Sequence, residues 1–229
     1  MSNLAAIRDR VEQMLLDVSN AIFTTGVIDE GIRQALDQYN FVSPLMMESA
    51  ITLTAAGREI SLTSLSNLLQ VVDVWWPYDS SAESWPPNRV RGWRVYWDNA
   101  LPLLFLDIYE GGQPQSGEKV RIWYSARHTI DGLDSATATT IPGQHESLIV
   151  LGAAGHAAMS RTIDLIEISG TDLYQVGLLG AWGQRKLKEF MQGLKEIQQA
   201  AARSGPSWGA GWGLDKWDEG RDHVRDTYG

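Results

Sequence analysis

The chain has 229 residues, an apolar fraction of 44% and a formal net charge of −9 at pH 7. This length accommodates one sizeable domain, or one domain that carries an insertion. The absence of cysteine excludes disulfides, thiolate metal sites and cysteine nucleophiles. The acidic balance argues against a protein that binds nucleic-acid phosphates over its whole surface.

The first 20 residues, "MSNLAAIRDRVEQMLLDVSN", are charged throughout. This argues against a signal peptide, and no later stretch is long and apolar enough to span a bilayer. We therefore expect synthesis in the cytoplasm of the cell that makes the protein, and no membrane partner.

Apolar residues recur at helical spacing over residues 2–21 and again over residues 24–40. Each segment predicts an amphipathic helix with one wet face. Ser2 or Asn3 is a capping candidate for the first helix, and Thr24 or Thr25 for the second. Because the link between them is short, we expect a helical hairpin, which Pro44 ends.

Short alternating segments replace the helical pattern after Pro44. Turn-forming strings such as "EGGQPQSGE" separate them, at spacings typical of a meander. The pattern predicts a small antiparallel sheet folded over as a sandwich, with strands within residues 48–54, 58–62, 68–77, 92–99, 102–110 and 118–126.

The C-terminal part returns to helices. A polar loop precedes an alanine-rich helix over residues 143–168, which is apolar almost all round and therefore predicted to be buried. A last helix is predicted from about Leu173 to Arg203, followed by a glycine-rich tail with no helical stripe.

The predicted fold class is thus α+β: a helical bundle with an inserted antiparallel β-sheet or sandwich and an extended C-terminal tail. The four predicted segments are a helical hairpin of the bundle, the inserted β domain, the C-terminal helices of the bundle and a docking tail, over residues 1–43, 44–128, 129–204 and 205–229.

Catalytic and metal-binding motifs are hard to find. His128, His145, His156 and His223 show no metal-site spacing, and His156 among alanines predicts a buried, hydrogen-bonded histidine. The first turn of its helix gives His145 a capping role, and His128 is placed to hydrogen-bond across a turn. We predict no enzymatic activity, no cofactor and no metal site.

One loop does place Ser125, His128 and Asp131 close together in sequence. A catalytic triad needs these three groups in mutual contact beside an oxyanion hole, and the chain has no GxSxG nucleophile elbow. A hydrolase that uses Ser125 and His128 is therefore the least favoured function.

Tryptophan is the unusual feature of the composition, with ten residues. Six lie in or beside the predicted sheet, and most of these are expected in its core. Trp85, between Ser84 and a proline pair, is predicted to be exposed and to mark an interface. Carbohydrate binding is the competing use of exposed rings, and coplanar Trp85, Trp93 and Trp97 would favour it.

Charge is unevenly placed along the chain. Residues 184–203 hold a net +3, the tail from residue 205 holds −2, and residues 1–183 hold the remaining −10. Arg185, Lys186 and Lys188 form the basic stretch of the last helix. They are a possible interface, with a solvated helix face as the alternative.

Three strings resemble, in their order, the head–tail connector (adaptor) proteins of tailed bacteriophages. "IRQALDQYNFVSP" looks like the family's second helix running up to a proline. "VVDVWWPYDS" looks like a strand entering an aromatic-proline turn. "VRIWYSARHTIDG", followed by "TTIPGQHESLIVLGAAGHAAM", looks like the last strand, a polar loop with a histidine and an alanine-rich helix. The resemblance covers most of residues 20–170.

The resemblance implies a virion structural protein without catalytic residues. It would form a homo-oligomeric ring, generally twelve-fold, under the portal protein, and would contact other neck or tail proteins. DNA would pass from the capsid to the tail through the ring's channel without specific binding. The protein would then reside in the virion neck after synthesis in the host cytoplasm.

The tail poses a separate question, since it places three tryptophans among glycines with no core of their own. The resemblance implies a C-terminal segment that reaches into the portal, and a glycine-rich segment can order upon docking. We expect Trp208, Trp212, Leu214 and Trp217 to anchor this tail in a neighbouring protein. The alternatives are a tail that folds back on its own helices and, for the whole chain, an aromatic-rich β-sandwich that binds carbohydrate or a receptor.

Overall fold

A computed structural model describes residues 2–81, 88–108, 112–167 and 172–203. Trp85, Trp208, Trp212, Leu214 and Trp217 lie outside these residues. The described part contains four α-helices and two three-stranded antiparallel sheets, which confirms the α+β class. It divides into two compact units, a helical unit of residues 2–43 and 142–203 and a β unit of residues 44–141.

The helical unit contains α1 (Leu4–Leu15), α2 (Thr25–Val42), α3 (Glu146–Glu167) and α4 (Leu173–Arg203). A single 3₁₀ turn, Gly143–His145, precedes α3. The most extensive helix contacts are those of α3 with α2 and with α4, whereas α2 and α4 contact each other little. Helix α3 therefore lies between α2 and α4.

Small residues let these helices approach closely. Ala153, Ala154, Ala157 and Ala158 of α3 are fully buried. A Cβ atom on Gly31 of α2 would lie 2.6 Å from the carbonyl oxygen of Ala153. The predicted burial is confirmed for the alanine-rich first half of α3, whose small residues pack inside the subunit, but not for its C-terminal end, where Ile163 and Ile166 are 60% and 59% exposed. The small residues therefore give no reason to expect close contact between subunits.

Helix α1 is shorter than the predicted 2–21. Asn3 caps it by accepting a hydrogen bond from the amide of Ala6 at 3.0 Å, as expected. It ends at Leu15 because Leu16 adopts a left-handed conformation, with φ of 57°. Val18, an apolar residue within the predicted helix, is 70% exposed. Thr24 flanks α2 without a side-chain capping bond.

The β unit contains all six predicted strands, with shifted ends: β1 (Leu45–Thr52), β2 (Glu59–Ser61), β3 (Leu68–Trp75), β4 (Trp93–Asp98), β5 (Leu101–Leu106) and β6 (Lys119–Ala126). Their order is β1-β6-β3 in one sheet and β2-β5-β4 in the other. The meander prediction is wrong for all but β4 and β5. Those two join through a two-residue turn in which Asn99 and Ala100 both have positive φ, the geometry that suits the twist of a hairpin.

One hydrophobic core draws on both sheets. It includes Val71 and Val74 of β3, Leu104 of β5, and Ile122 and Tyr124 of β6. On β6 the core residues alternate with Arg121 and Trp123, which therefore lie on the opposite face of the sheet. The β unit also includes residues 129–141. The predicted boundary at residue 128 grouped these residues with the C-terminal helices.

Candidate interaction surfaces

Ser125 and His128, the pair of the least favoured hydrolase hypothesis, have other hydrogen-bond partners. The Ser125 hydroxyl donates to the carbonyl oxygen of Gln70 at 3.4 Å. The His128 Nδ1 lies 3.0 Å from the carbonyl oxygen of Thr140, so this nitrogen donates across the turn, as predicted. A triad histidine would instead direct Nδ1–H at a carboxylate. These two contacts hold the loop in place and assemble no nucleophile.

The remaining described histidines have structural surroundings. His145 Nδ1 lies 2.7 Å from the hydroxyl of the fully buried Tyr39, a tertiary contact in place of the predicted capping role. Burial lowers the pKa of both His145 and His156. The hydrogen bond expected for His156 is absent at Nε2 among the described residues. The described residues contain no group of three potential metal ligands. None of the described helices is long and apolar enough to cross a membrane.

Aromatic side chains surround one arginine on the outer face of the β1-β6-β3 sheet. The Arg121 guanidinium lies 5.0–5.1 Å from the ring centres of Trp75, Tyr78 and Trp123. It also forms a 2.5 Å ion pair with Glu48. Because the arginine already occupies this aromatic cluster, the cluster stabilises the sheet face through cation–π contacts.

The tryptophan prediction needs correction. None of the tryptophans among the described residues is fully buried; Trp76 and Trp93 are partly buried and pack against the β core. Trp97, near the β4–β5 turn, is 64% exposed. Side chains of a β-strand alternate between the two faces of its sheet. The sequence alone does not show whether a tryptophan lies on the core face or on the outer face.

A flat carbohydrate platform is not what these rings form. The rings of Trp75 and Trp123 are tilted by 53°. Of the three rings whose coplanarity would favour carbohydrate binding, Trp93 packs on the core, Trp97 is exposed and Trp85 lies outside the described residues. The described rings therefore give no specific support to carbohydrate binding.

The predicted basic stretch lies on α4. Lys186 pairs with Glu189 at 2.8 Å and its ammonium lies 5.9 Å from the centre of the Trp182 ring. Arg185 and Lys188 are exposed. The structure thus separates a locally paired lysine from two solvent-facing cations on the same helix.

Exposed apolar residues on the helical unit were not singled out from the sequence. Phe41 at the end of α2 is 90% exposed, and Tyr174 and Leu178 of α4 are 73% and 53% exposed. The signal that identifies them is their position on the helix face opposite the buried stripe.

Two buried carboxylates fix the ends of the helices. Asp17 accepts hydrogen bonds from the amides of Ala21, Ile22 and Phe23 at 2.7–3.0 Å, and this closes the loop after α1. Glu146 accepts from the backbone amide and hydroxyl of Ser2 at 2.8 and 2.7 Å. The bond from Phe23 lowers the pKa of Asp17, and the bond from the Ser2 amide lowers the pKa of Glu146.

These shifts predict acid sensitivity of the helical unit. A carboxyl whose pKa is lower in the folded state stabilises that state above its unfolded pKa, and the stabilisation is lost as the pH falls through the folded pKa. The free energy of unfolding should therefore decrease below about pH 4.5, the ordinary pKa of a glutamate in an unfolded chain. Urea titrations at pH 7 and at pH 3.5 measure this loss. Glu146→Gln should be less stable than wild type at pH 7 and lose less on acidification; an equal loss in both proteins would contradict the assignment.

Among solved structures, chains of gene transfer agent particles are similar to this chain. No family model and no curated protein matches the chain. A chain from the neck of an empty gene transfer agent (GTA) particle, computed with C6 symmetry, has 15% identity and a TM-score of 0.29, over 78% of this chain and 86% of that one. A chain from the neck of the native particle, computed with C12 symmetry, has 16% identity and a TM-score of 0.28 over the same shares.

A chain from the virion of the native gene transfer agent particle is also similar. It has 16% identity and a TM-score of 0.29, over 79% of this chain and 86% of that one. TM-scores this low do not establish a shared fold. The function of the chain is therefore inferred from its own residues.

Proposed function

We propose that the chain is a structural subunit of a phage-type neck. Identical subunits form a ring, twelve-fold in the connector family that the sequence resembles, under the portal protein, and continue the DNA channel towards the tail. The observation that supports this most is the placement of the three connector-like strings. They occupy α2 up to Pro44, β3 with its following turn, and β6 with its loop and α3, in the order that the resemblance implies.

The order of the two units along the chain supports the same role. The helical unit is built from residues 2–43 and 142–203, and the β unit lies between these two segments in sequence. A helical bundle with an inserted β-sheet has this order. Ser125 and His128 make contacts that stabilise a loop, which is consistent with a structural protein.

The tail is assigned the docking role. Residues 205–229 would enter the portal, with Trp208, Trp212, Leu214 and Trp217 as anchors, and Trp85 would serve as a second contact. The sequence supports this role because glycines at 205, 209, 211 and 213 give reach, while the tryptophans offer large apolar surfaces.

Electron microscopy of particle necks tests the proposal. We expect particles assembled with an epitope-tagged chain to bind a gold-labelled antibody at the neck, around a ring in averaged images. Particles assembled with the untagged chain are the control. Label on the capsid or the tail tip, or a neck ring without label, would overturn the proposal.

Weak DNA binding is a further expected result. Residues 1–183 hold a net charge of −10, and an acidic wall repels phosphates so that DNA can slide past it. In gel shifts with duplex DNA, we expect any complex at low salt to vanish at physiological salt. A tight complex that resists salt would contradict this. Loss of such a complex in an Arg185→Glu, Lys188→Glu variant would identify these two cations as a phosphate clamp.

A further inference from the structure

The outward face of α2 is acidic with an apolar end. Glu30, Gln34, Asp37 and Phe41 are all exposed and follow one another at three- or four-residue spacing. They therefore line one side of the helix. We call this stripe the α2 face. Arg33 lies at its border, with its guanidinium 3.4 Å from Glu30.

The outward face of α4 has the opposite charge. Tyr174, Leu178, Ala181, Arg185 and Lys188 are all exposed and again follow at three- or four-residue spacing. We call this stripe the α4 face. It begins with apolar residues and continues with two cations. Glu189 lies beside them and pairs with Lys186.

The two faces cannot meet within one subunit. A Cβ atom on Gly152 of α3 would lie 3.0 Å from both the Ala35 methyl of α2 and the Phe190 ring of α4. The buried sides of α2 and α4 thus converge on α3, and their exposed stripes point away from it. Any partner of either face must therefore come from outside these helices.

The spacing of the two faces matches when the helices run antiparallel. At 1.5 Å per residue, Asp37 and Glu30 lie about 6 and 16 Å along α2 from Phe41. Arg185 and Lys188 lie about 10 and 15 Å along α4 from Leu178. The offsets of a few ångströms are within the reach of arginine and lysine side chains. With Phe41 against Leu178, each carboxylate would then face a cation.

We propose that the α2 face of one subunit docks on the α4 face of the next. This inference rests on the proposed ring and names the surfaces that form it. Each copy offers both faces, so the contact is head-to-tail, and such contacts close into a ring when the rotation between copies permits. Charge complementarity sets the register and the apolar ends exclude water.

Cysteine cross-linking tests the contact directly, because the natural chain has no cysteine. A full-length Phe41→Cys, Leu178→Cys variant should form a ladder beyond dimers on mild oxidation. Either single variant can give at most a dimer. A Trp97→Cys, Leu178→Cys variant is the matched control, since Trp97 is also exposed but lies on the β unit.

Each outcome decides something. A ladder from the first pair alone supports the proposed surfaces. Rings visible by negative stain without that ladder, or with an equal ladder from the control pair, overturn these surfaces and leave the neck role standing. Neither rings nor a ladder, in the purified chain and in assembled necks, overturns the ring together with its surfaces.

Charge exchange gives an independent readout. Arg185→Glu with Lys188→Glu should abolish ring formation at physiological salt, while circular dichroism remains that of wild type. Mixing this variant with a Glu30→Lys, Asp37→Lys variant should restore heterologous pairs. Rings that form normally in the first variant would overturn the charge pairing.

Discussion

Truncation after Ser204 is expected to give a folded subunit that no longer joins capsids. The buried residues of the four helices, from Leu4 to Leu194, all precede that point, so the helical unit should keep its stability. The tail would supply the docking anchors Trp208, Trp212 and Trp217. Incorporation into particles, measured by quantitative immunoblotting of purified virions, should fall at least tenfold.

The reason lies in what three tryptophans can and cannot do. Each ring can bury about 150–250 Å² of surface, a large apolar contribution for one side chain. Ordering a glycine-rich backbone costs about 1–2 kcal/mol per residue. Docking therefore needs backbone hydrogen bonds from the host as well, and a cleft between neighbouring portal or connector subunits supplies those more readily than an open face.

A full-length variant with Trp208, Trp212 and Trp217 all replaced by alanine is the matched control for tail length. It should be as defective as the truncation if the rings are the anchors. Normal incorporation of the truncated chain would contradict docking by the tail. Unfolding of the truncated chain would show instead that the tail belongs to the subunit's own core.

Periodicity predicted the elements well because burial imposes it. The apolar stripe of α2 and the bounds of α4 were predicted correctly from the sequence. Both helices pack one apolar side against α3, and this produces the periodic pattern. The six strands were likewise located by alternation. The end of α1 was not predicted correctly, because Leu16 is not a residue type that marks a turn. The Asp17 carboxylate, which closes the following loop, accepts hydrogen bonds from amides up to six residues away.

Strand order and exposure were harder to predict. Short spacings favoured a meander, yet β6 lies between β1 and β3, a pairing that depends on long-range packing. The tryptophans were expected in the core, but alternation leaves Trp123 on the side of β6 opposite Ile122, a core residue. Burial of the alanine-rich α3 was predicted, but the sequence did not show that its small residues pack against α2 and α4.

The candidate interface shows the same limit. Arg185, Lys186 and Lys188 were found as a charge cluster, but their sequence could not tell paired from solvent-facing cations. The structure assigns Lys186 to Glu189 and leaves Arg185 and Lys188 on the α4 face. The charged residues of the α2 face are isolated from one another in sequence. They are recognised as one surface only when the buried side of the helix is known.

Gly31→Ala should destabilise the helical unit, whereas Gly26→Ala on the same helix should not. A Cβ on Gly31 would lie 2.6 Å from the backbone oxygen of Ala153, which α3 cannot easily move. Such overpacking costs about 1–3 kcal/mol. Among the described residues, no atom beyond its chain neighbours and its own helical turn lies within 4 Å of a Cβ on Gly26, so alanine there gains helix propensity of up to about 1 kcal/mol. Urea unfolding of both variants measures the difference. Equal stabilities would mean that α2 and α3 do not meet at Gly31, and the packing that leaves the α2 and α4 faces pointing outward would be wrong.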